Sequence, residues 1–242
     1  MLVDLCLPVK NEALILPDNL ERLLDYCRRA DFHFAWRIVG VINGSTDDSR
    51  LIWQDFQKRY PDQVAYFEVK EAGRGRALRE YWSVSQADIL AYMDADLAVS
   101  LDNIIDLINP LLARDADVTA GSRLAAGARV QRSRYRDLIS YAYVYLSRFL
   151  LGHHFLDLQC GFKAVRSEVF RAVKPRLADD YWFFDTELMV LAQRLGYRVR
   201  EVPVDWRENR YLRRATKVRL VQDSLVFLKN LWRFRQRLRR FR

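Results

Sequence analysis

The chain has 242 residues, half of them hydrophobic, and a net charge of +9. This excludes an intrinsically disordered chain and suits one large domain, or a domain with a small appendage, with a sizeable core. The positive balance points to anionic partners: phosphates, nucleic acid or an acidic membrane surface.

From the N-terminus, residues 1–9 form an apolar run ended by Pro8, which predicts a strand leading into the loop Lys10-Asn11-Glu12. Met1-Leu2-Val3-Asp4 enters that strand directly, so no signal peptide is expected. Residues 16–30 carry Leu16, Leu20, Leu23, Leu24 and Cys27 at helical spacing behind a Pro17-Asp18-Asn19 start signal. A strand over 36–42 ends in the polar turn Asn43-Gly44-Ser45-Thr46-Asp47-Asp48-Ser49. A helix over 51–60 and a strand over 64–69 follow. Residues 71–76 read as a basic, glycine-bearing loop, and 77–85 as the next helix.

Residues 89–97, Ile-Leu-Ala-Tyr-Met-Asp-Ala-Asp-Leu, are the centre of the chain. A buried strand ends in Asp94 and Asp96, two acids that repel each other unless a cation or donors compensate. Mg2+ or Mn2+ prefers such oxygen ligands together with substrate phosphates. The plain alternative is a polar loop capping the next helix. Alternating strands and helices predict a parallel sheet covered on both faces, whose strand ends bring loops 8–12, 43–48 and 94–96 to one edge.

Beyond it, 102–112 reads as a helix, 118–120 as a strand and Gly121-Ser122-Arg123 as a strand-end loop. The basic segment 129–136 leads into an apolar, tyrosine-rich helix over 138–151, too short to span a bilayer. Residues 157–164 read as a turn or short strand, 167–173 as a helix, and 179–187 as the opening of a helix over 188–195. Pro203 marks 199–204 as an edge strand. From about 217 the chain is amphipathic: Val221, Leu225, Leu228, Trp232, Leu238 and Phe241 can share one face, with Lys229 and six arginines on the others. A basic helix of this kind suits an anionic membrane surface. Cys6, Cys27 and Cys160 lack disulfide or metal-ligand spacing, and His33, His153 and His154 add no ligand pattern. A reducing compartment and no zinc are expected.

Together these stretches resemble the inverting glycosyltransferases of the GT-A fold, most closely the dolichol- or polyprenyl-phosphate mannose synthase branch. The resemblance rests on Pro8-Val9-Lys10-Asn11-Glu12, Asn43-Gly44-Ser45-Thr46-Asp47, Gly73-Arg74-Gly75-Arg76-Ala77, Asp94-Ala95-Asp96-Leu97, Gly121-Ser122-Arg123, Gln159-Cys160-Gly161-Phe162-Lys163, Phe184-Asp185-Thr186-Glu187 and Val202-Pro203-Val204. It implies a GT-A domain over 1–212, mostly parallel sheet flanked by helices, and a membrane-facing helical segment over 213–242. It implies that Pro8, Lys10, Glu12, Val41 and Asn43 hold the base and ribose of a GDP- or UDP-hexose, with Arg76 also on the donor. Asp94, Ala95 and Asp96 would bind the diphosphate through Mg2+ or Mn2+. Arg123 would reach the phosphates. Arg136 and Ser140, four apart on one helical face, would grip the acceptor phosphate with Arg123. Lys217 and Arg210 are the candidates for a C-terminal phosphate-binding pair. Asn43 replaces the family's usual aspartate, and Ala98 a common glutamine.

The expected activity is transfer of a hexose to a polyprenyl phosphate with inversion, at the cytoplasmic membrane face. The arginines at 129–136 beside an apolar helix favour a lipid phosphate. A sugar-hydroxyl acceptor would instead need a base, for which Asp185 is first and Glu187 second; Asp185 could equally cap its helix. A non-catalytic scaffold binding membrane or nucleic acid is the remaining alternative, with nucleic acid disfavoured.

Overall fold

The computed structural model describes residues 1–131, 134–207 and 220–240, with the side chains of 134–138 and 220–225 left aside. A seven-stranded sheet runs in the order β3-β2-β1-β4-β7-β5-β8. Its first half is built from β1 (Leu2–Val9), α1 (Leu16–Arg29), β2 (Ala35–Asn43), α2 (Ser49–Arg59), β3 (Val64–Val69), α3 (Arg74–Val84) and β4 (Ile89–Met93). Strands β1 to β4 are mutually parallel. The order steps outward from β1 to β3 and then returns to place β4 on the other side of β1. The reversal leaves a crevice between the carboxyl ends of β1 and β4, the place where open α/β sheets bind ligands.

The second half contains α4 (Asn103–Leu112), β5 (Val118–Ser122), β6 (Arg129–Gln131), α5 (Arg134–Leu151), β7 (Phe162–Arg166), α6 (Ser167–Val173), α7 (Phe184–Arg194), β8 (Val199–Pro203), β9 (Asp205–Arg207) and α8 (Leu220–Arg239). Strand β7 is antiparallel to both β4 and β5. The sheet is thus mostly parallel, as expected, with one reversed strand that the sequence left as a turn or short strand. Strand β8 is the edge strand, so Pro203 costs no ladder bond there. The pair β6–β9 forms a separate ribbon that the sequence did not announce. A three-residue strand carries too little periodicity to be read.

Each sheet face is covered. Leu16, Leu20, Leu23 and Leu24 of α1, Trp53 and Phe56 of α2, and Ile104, Leu107 and Ile108 of α4 fill one side. Leu78 and Trp82 of α3, Phe170 of α6, Phe184 and Leu188 of α7, and Leu231 and Phe234 of α8 fill the other. Gly40 in β2 is required by this packing, since a side chain there would overlap the indole of Trp53. Asp4, fully buried in β1, is compensated by Arg37 at 3.0 Å and by the hydroxyls of Tyr81 and Ser85 at 2.6 Å.

Helix α8 is not a detached appendage. Leu231 and Phe234 are buried, Arg237 donates to Glu187 at 2.6 Å, and Phe227 meets Tyr143 of α5 edge-on at 5.3 Å. The helix packs on the core of the domain through these residues. The predicted apolar face is corrected. Leu238 packs on the core with Phe227, whereas Leu228 and Trp232 point outward; Phe241 and the side chains of Val221 and Leu225 lie outside the described residues.

Candidate active site

The acid pair lies where β4 ends, at the crevice beside β1. Asp94 follows Met93, and its amide donates to the Gly161 carbonyl at 3.1 Å. Leu97 turns back through a positive φ of 50°, with its amide on the Asp94 carbonyl at 3.0 Å. A buried leucine in left-handed backbone costs free energy, and the turn persists because packing over-determines it. The result keeps both carboxylates at the sheet edge: Asp94's side chain is 43% exposed and Asp96 is partly exposed.

Arg74 is the partner of Asp94, while Asp96 Oδ1 accepts the Ala98 amide at 3.2 Å. Arg74 Nη1 lies 3.2 Å from Asp94 Oδ1, and its Nη2 is ion-paired with Asp185. Asp185 is wholly buried. It also accepts from the Tyr92 hydroxyl and lies 3.5 Å from Lys163 Nζ. Lys163 donates to the Cys160 carbonyl at 2.5 Å. A chain of charges therefore runs Asp94, Arg74, Asp185, Lys163, alternating in sign. Partial desolvation raises the Asp94 carboxyl above its usual range; Arg74 opposes the shift, and Asp96 and Asp185 reinforce it.

The sequence took residues 71–76 as a loop and placed Arg76 on the donor. In the structure Arg74-Gly75-Arg76 is the first turn of α3, and Arg76 pairs with Glu71 and Asp180. The residue facing the acids is Arg74. In a helix, side chains two positions apart point about 200° apart, so the two arginines reach different partners.

Asp185 is not the cap of α7. Asp179 Oδ1 takes the amides of Tyr181, Phe183 and Phe184 at 2.8 to 3.2 Å, and so closes the start of that helix. Glu187 is equally enclosed, accepting from Arg237 and from the amides of Ala178 and Asp179. Neither carboxylate is presented to solvent.

The β1 and β2 ends meet as expected. Asn11 and Thr46 bond across the two loops at 2.7 Å, and Ser49 Oγ accepts the Glu12 amide at 3.0 Å. Pro8 is partly exposed, Lys10 exposed and Glu12 largely buried at this edge. Val41 is buried in the core cluster that holds Leu78 and Tyr92. Asn43 is also turned inward. Its Nδ2 donates to the Val9 carbonyl at 2.9 Å and its Oδ1 accepts the Gly73 amide at 3.0 Å. It fastens three loops at once, and an aspartate could not make the donor contact.

Arg123 is held by Asp157 through Nε at 2.7 Å and Nη2 at 3.0 Å, with its guanidinium 5.7 Å from the Trp206 ring centroid. Burial opposes ionisation of Asp157, but the guanidinium and the Arg123 amide hold its carboxyl well below the usual range. Ser140 lies one turn before Tyr143, whose hydroxyl meets Thr186 Oγ1 at 2.7 Å beside Asp185. The Arg136 side chain, Arg210 and Lys217 lie outside the described residues.

A divalent ion fits Asp94 and Asp96. Gly161 puts no side chain against the Asp94 carboxylate, where a Cβ would overlap it. Among the described residues no third acid, histidine or cysteine joins the pair. Two carboxylates that leave the rest of the shell to phosphate oxygens are the usual donor set for Mg2+.

The chain is 33% identical over 228 residues to glycosyltransferase AglD of Haloferax volcanii, a match that spans 92% of this chain and 35% of that protein. It is 29% identical to the human dolichyl-phosphate beta-glucosyltransferase, across 85% of this chain and 67% of the relative. It thus spans about a third and about two thirds of those relatives' lengths. The latter name is a glucosyltransferase, where the sequence resemblance pointed to a mannose branch. Glucosyl-3-phosphoglycerate synthase from Mycobacterium tuberculosis, solved with Mn2+, UDP and phosphoglyceric acid, superposes with a TM-score of 0.66 at 16% identity, over 95% of this chain and 75% of that one. The fold is that of the GT-A glycosyltransferases. Residues 4–174 match the model of glycosyl transferase family 2, and the chain belongs to that family.

Proposed function

We propose that this chain transfers a hexose, glucose first among candidates, from a nucleoside diphosphate sugar to a polyprenyl phosphate, inverting the anomeric carbon. The observation that carries the reading is the pair Asp94 and Asp96 at the β1–β4 crevice, with Arg74 locking Asp94 in place. The dolichyl-phosphate glucosyltransferases among its relatives support the acceptor class, and the UDP and Mn2+ in its structural neighbour support the donor.

In this reading a lone pair on the acceptor phosphate oxygen forms the new bond to C1. The bond from C1 to the diphosphate oxygen breaks, and the nucleoside diphosphate leaves with that electron pair from the opposite face. A divalent ion held by Asp94 and Asp96 would neutralise charge growing on the diphosphate. Arg123, braced by Asp157, presents a fixed cation beside the site. Arg136 and Ser140 at the head of α5 remain the proposed acceptor contacts, with Lys217 and Arg210 on the donor phosphates. A phosphate monoester has its second pKa near about 6, so it needs no base. The enclosure of Asp185 supports this acceptor over a sugar hydroxyl, which would have to surrender a proton to an accessible carboxylate.

A lipid acceptor calls for a membrane-facing surface. Tyr141, Tyr145 and Phe149 form an exposed stripe four residues apart on α5, and Val226, Leu228 and Trp232 are exposed on α8 packed beside it. Exposed Lys229, Arg233, Arg239 and Arg240 supply charge for anionic lipid. No helix among the described residues is long and apolar enough to cross a membrane.

The test is incubation of purified protein with labelled UDP-glucose or GDP-mannose and a polyprenyl phosphate, with and without EDTA. Label entering the lipid fraction from UDP-glucose, abolished by EDTA, is the expected result. Transfer only to carbohydrate hydroxyls would overturn the reading.

A further inference from the structure

Trp182 is an indole left 38% exposed next to the acid pair, on a loop that is tightly held. Asp179 Oδ1 takes the amides around it, Tyr181's carbonyl accepts the Gly75 amide at 3.2 Å, and Asp180 ion-pairs with Arg76 and Arg79. Gly75 allows this docking, since a Cβ there would stand 2.6 Å from Phe184 Cβ and 2.7 Å from the Asp179 carbonyl. The polar scaffolding fixes the position of a partly exposed indole.

The ring centroid lies 4.3 Å from Arg74 Cζ, and Arg74 Nη1 lies 3.2 Å from Asp94 Oδ1. The indole is therefore one guanidinium away from the carboxylate that receives the donor diphosphate in the reading above. Arg74 Nε is buried and has no hydrogen-bond partner, an N–H donor without an acceptor in a 9% exposed side chain. An aromatic face, with an unsatisfied donor behind it and a diphosphate site beside it, matches the two sides of a pyranose: an apolar C–H face and a rim of hydroxyl acceptors.

We propose that Trp182 and Arg74 form the hexose subsite, Trp182 stacking on the sugar of the donor and Arg74 orienting it as it holds Asp94. This rests on the nucleotide-sugar reading and extends it, because it assigns the sugar moiety to a residue that the motifs bearing on the nucleotide do not include.

The experiment measures Kd for UDP and for UDP-glucose, each with Mn2+, by calorimetry on the full chain, for the wild type, Trp182→Ala and Trp182→Phe. A stacking platform predicts that Trp182→Ala weakens UDP-glucose about tenfold while UDP stays within about twofold, and that Trp182→Phe recovers most of the difference. Equal weakening of both ligands by Trp182→Ala, as expected if the indole only shields Arg74, would overturn the inference and leave the donor reading intact. A change in neither ligand would also overturn it. A wild type that binds UDP but gains nothing from the glucose sinks the subsite alone, whereas a wild type that binds no nucleotide sugar at all sinks both.

Discussion

Gly161 is pressed against Asp94: its carbonyl accepts the Asp94 amide, and a methyl group on its Cα would overlap the Asp94 carboxylate. The strand-end turn before β7 thereby decides where one acid of the pair can stand. Replacing Gly161 with alanine should leave the sheet intact and move the carboxylate. A shift of about 1 Å at a reacting site costs on the order of a hundredfold in rate. Glycosyl transfer should drop by about that factor while the thermal midpoint moves by only a few degrees. A variant with undiminished turnover would remove Asp94 from the chemistry.

Arg74 and Asp185 form a buried ion pair with Tyr92 as a third partner. Removing one member of such a pair leaves an uncompensated buried charge, which costs about 3–5 kcal/mol. Arg74→Met and Asp185→Asn should therefore each be destabilised by that order in urea unfolding, the second because buried Lys163 and Arg74 both lose the Asp185 charge. If Asp185 were a base rather than a brace, Asp185→Asn would abolish transfer without touching stability.

His153 supplies a pH signature independent of the active site. Its Nδ1 accepts the Phe155 amide at 3.1 Å, so the proton sits on Nε2, facing Ser147 Oγ at 3.0 Å. Burial, with Arg148 and His154 adding, lowers its pKa from 6.5 to about 4. The unfolded chain then binds the proton more readily than the folded one. The stabilisation is complete above about pH 6.5 and is lost as the pH falls toward 4, where it levels off. Thermal midpoints across this range should fall less steeply in His153→Gln than in the wild type, and parallel curves would refute the assignment.

The stripes on α5 and α8 can be tested apart from catalysis. Replacing Tyr145 and Phe149 with serine removes mostly exposed apolar area, so stability should change by less than about 0.5 kcal/mol per site, with a larger loss for half-buried Leu228 and Trp232. Co-sedimentation with vesicles rich in phosphatidylserine should be lost, and transfer to a short, soluble polyprenyl phosphate retained. Unchanged sedimentation would show that lipid is held elsewhere.

Much of this was legible beforehand because it is local. Apolar runs and period-3.6 patterns marked β1 to β4 and α1 to α4 within a few residues, and the acid pair at a strand end followed from one apolar run. Strand β7 was harder: Phe162–Arg166 is short and fully buried, and nothing within it states its direction. Ribbon β6–β9 joins residues about 75 apart, beyond any local period.

The sequence by itself determined the alternating architecture, the acid pair at the end of β4 and the net positive charge. Only the tertiary structure decided which residues of those motifs face one another. It turned Asn43 inward as a clamp, sent Arg76 to Asp180, gave Arg74 to Asp94, and enclosed Asp185. The physical reason is that a buried charge must find its partner in space. That partner came from another element of the fold, at a sequence distance of 20 residues for Asp94 and 111 for Asp185.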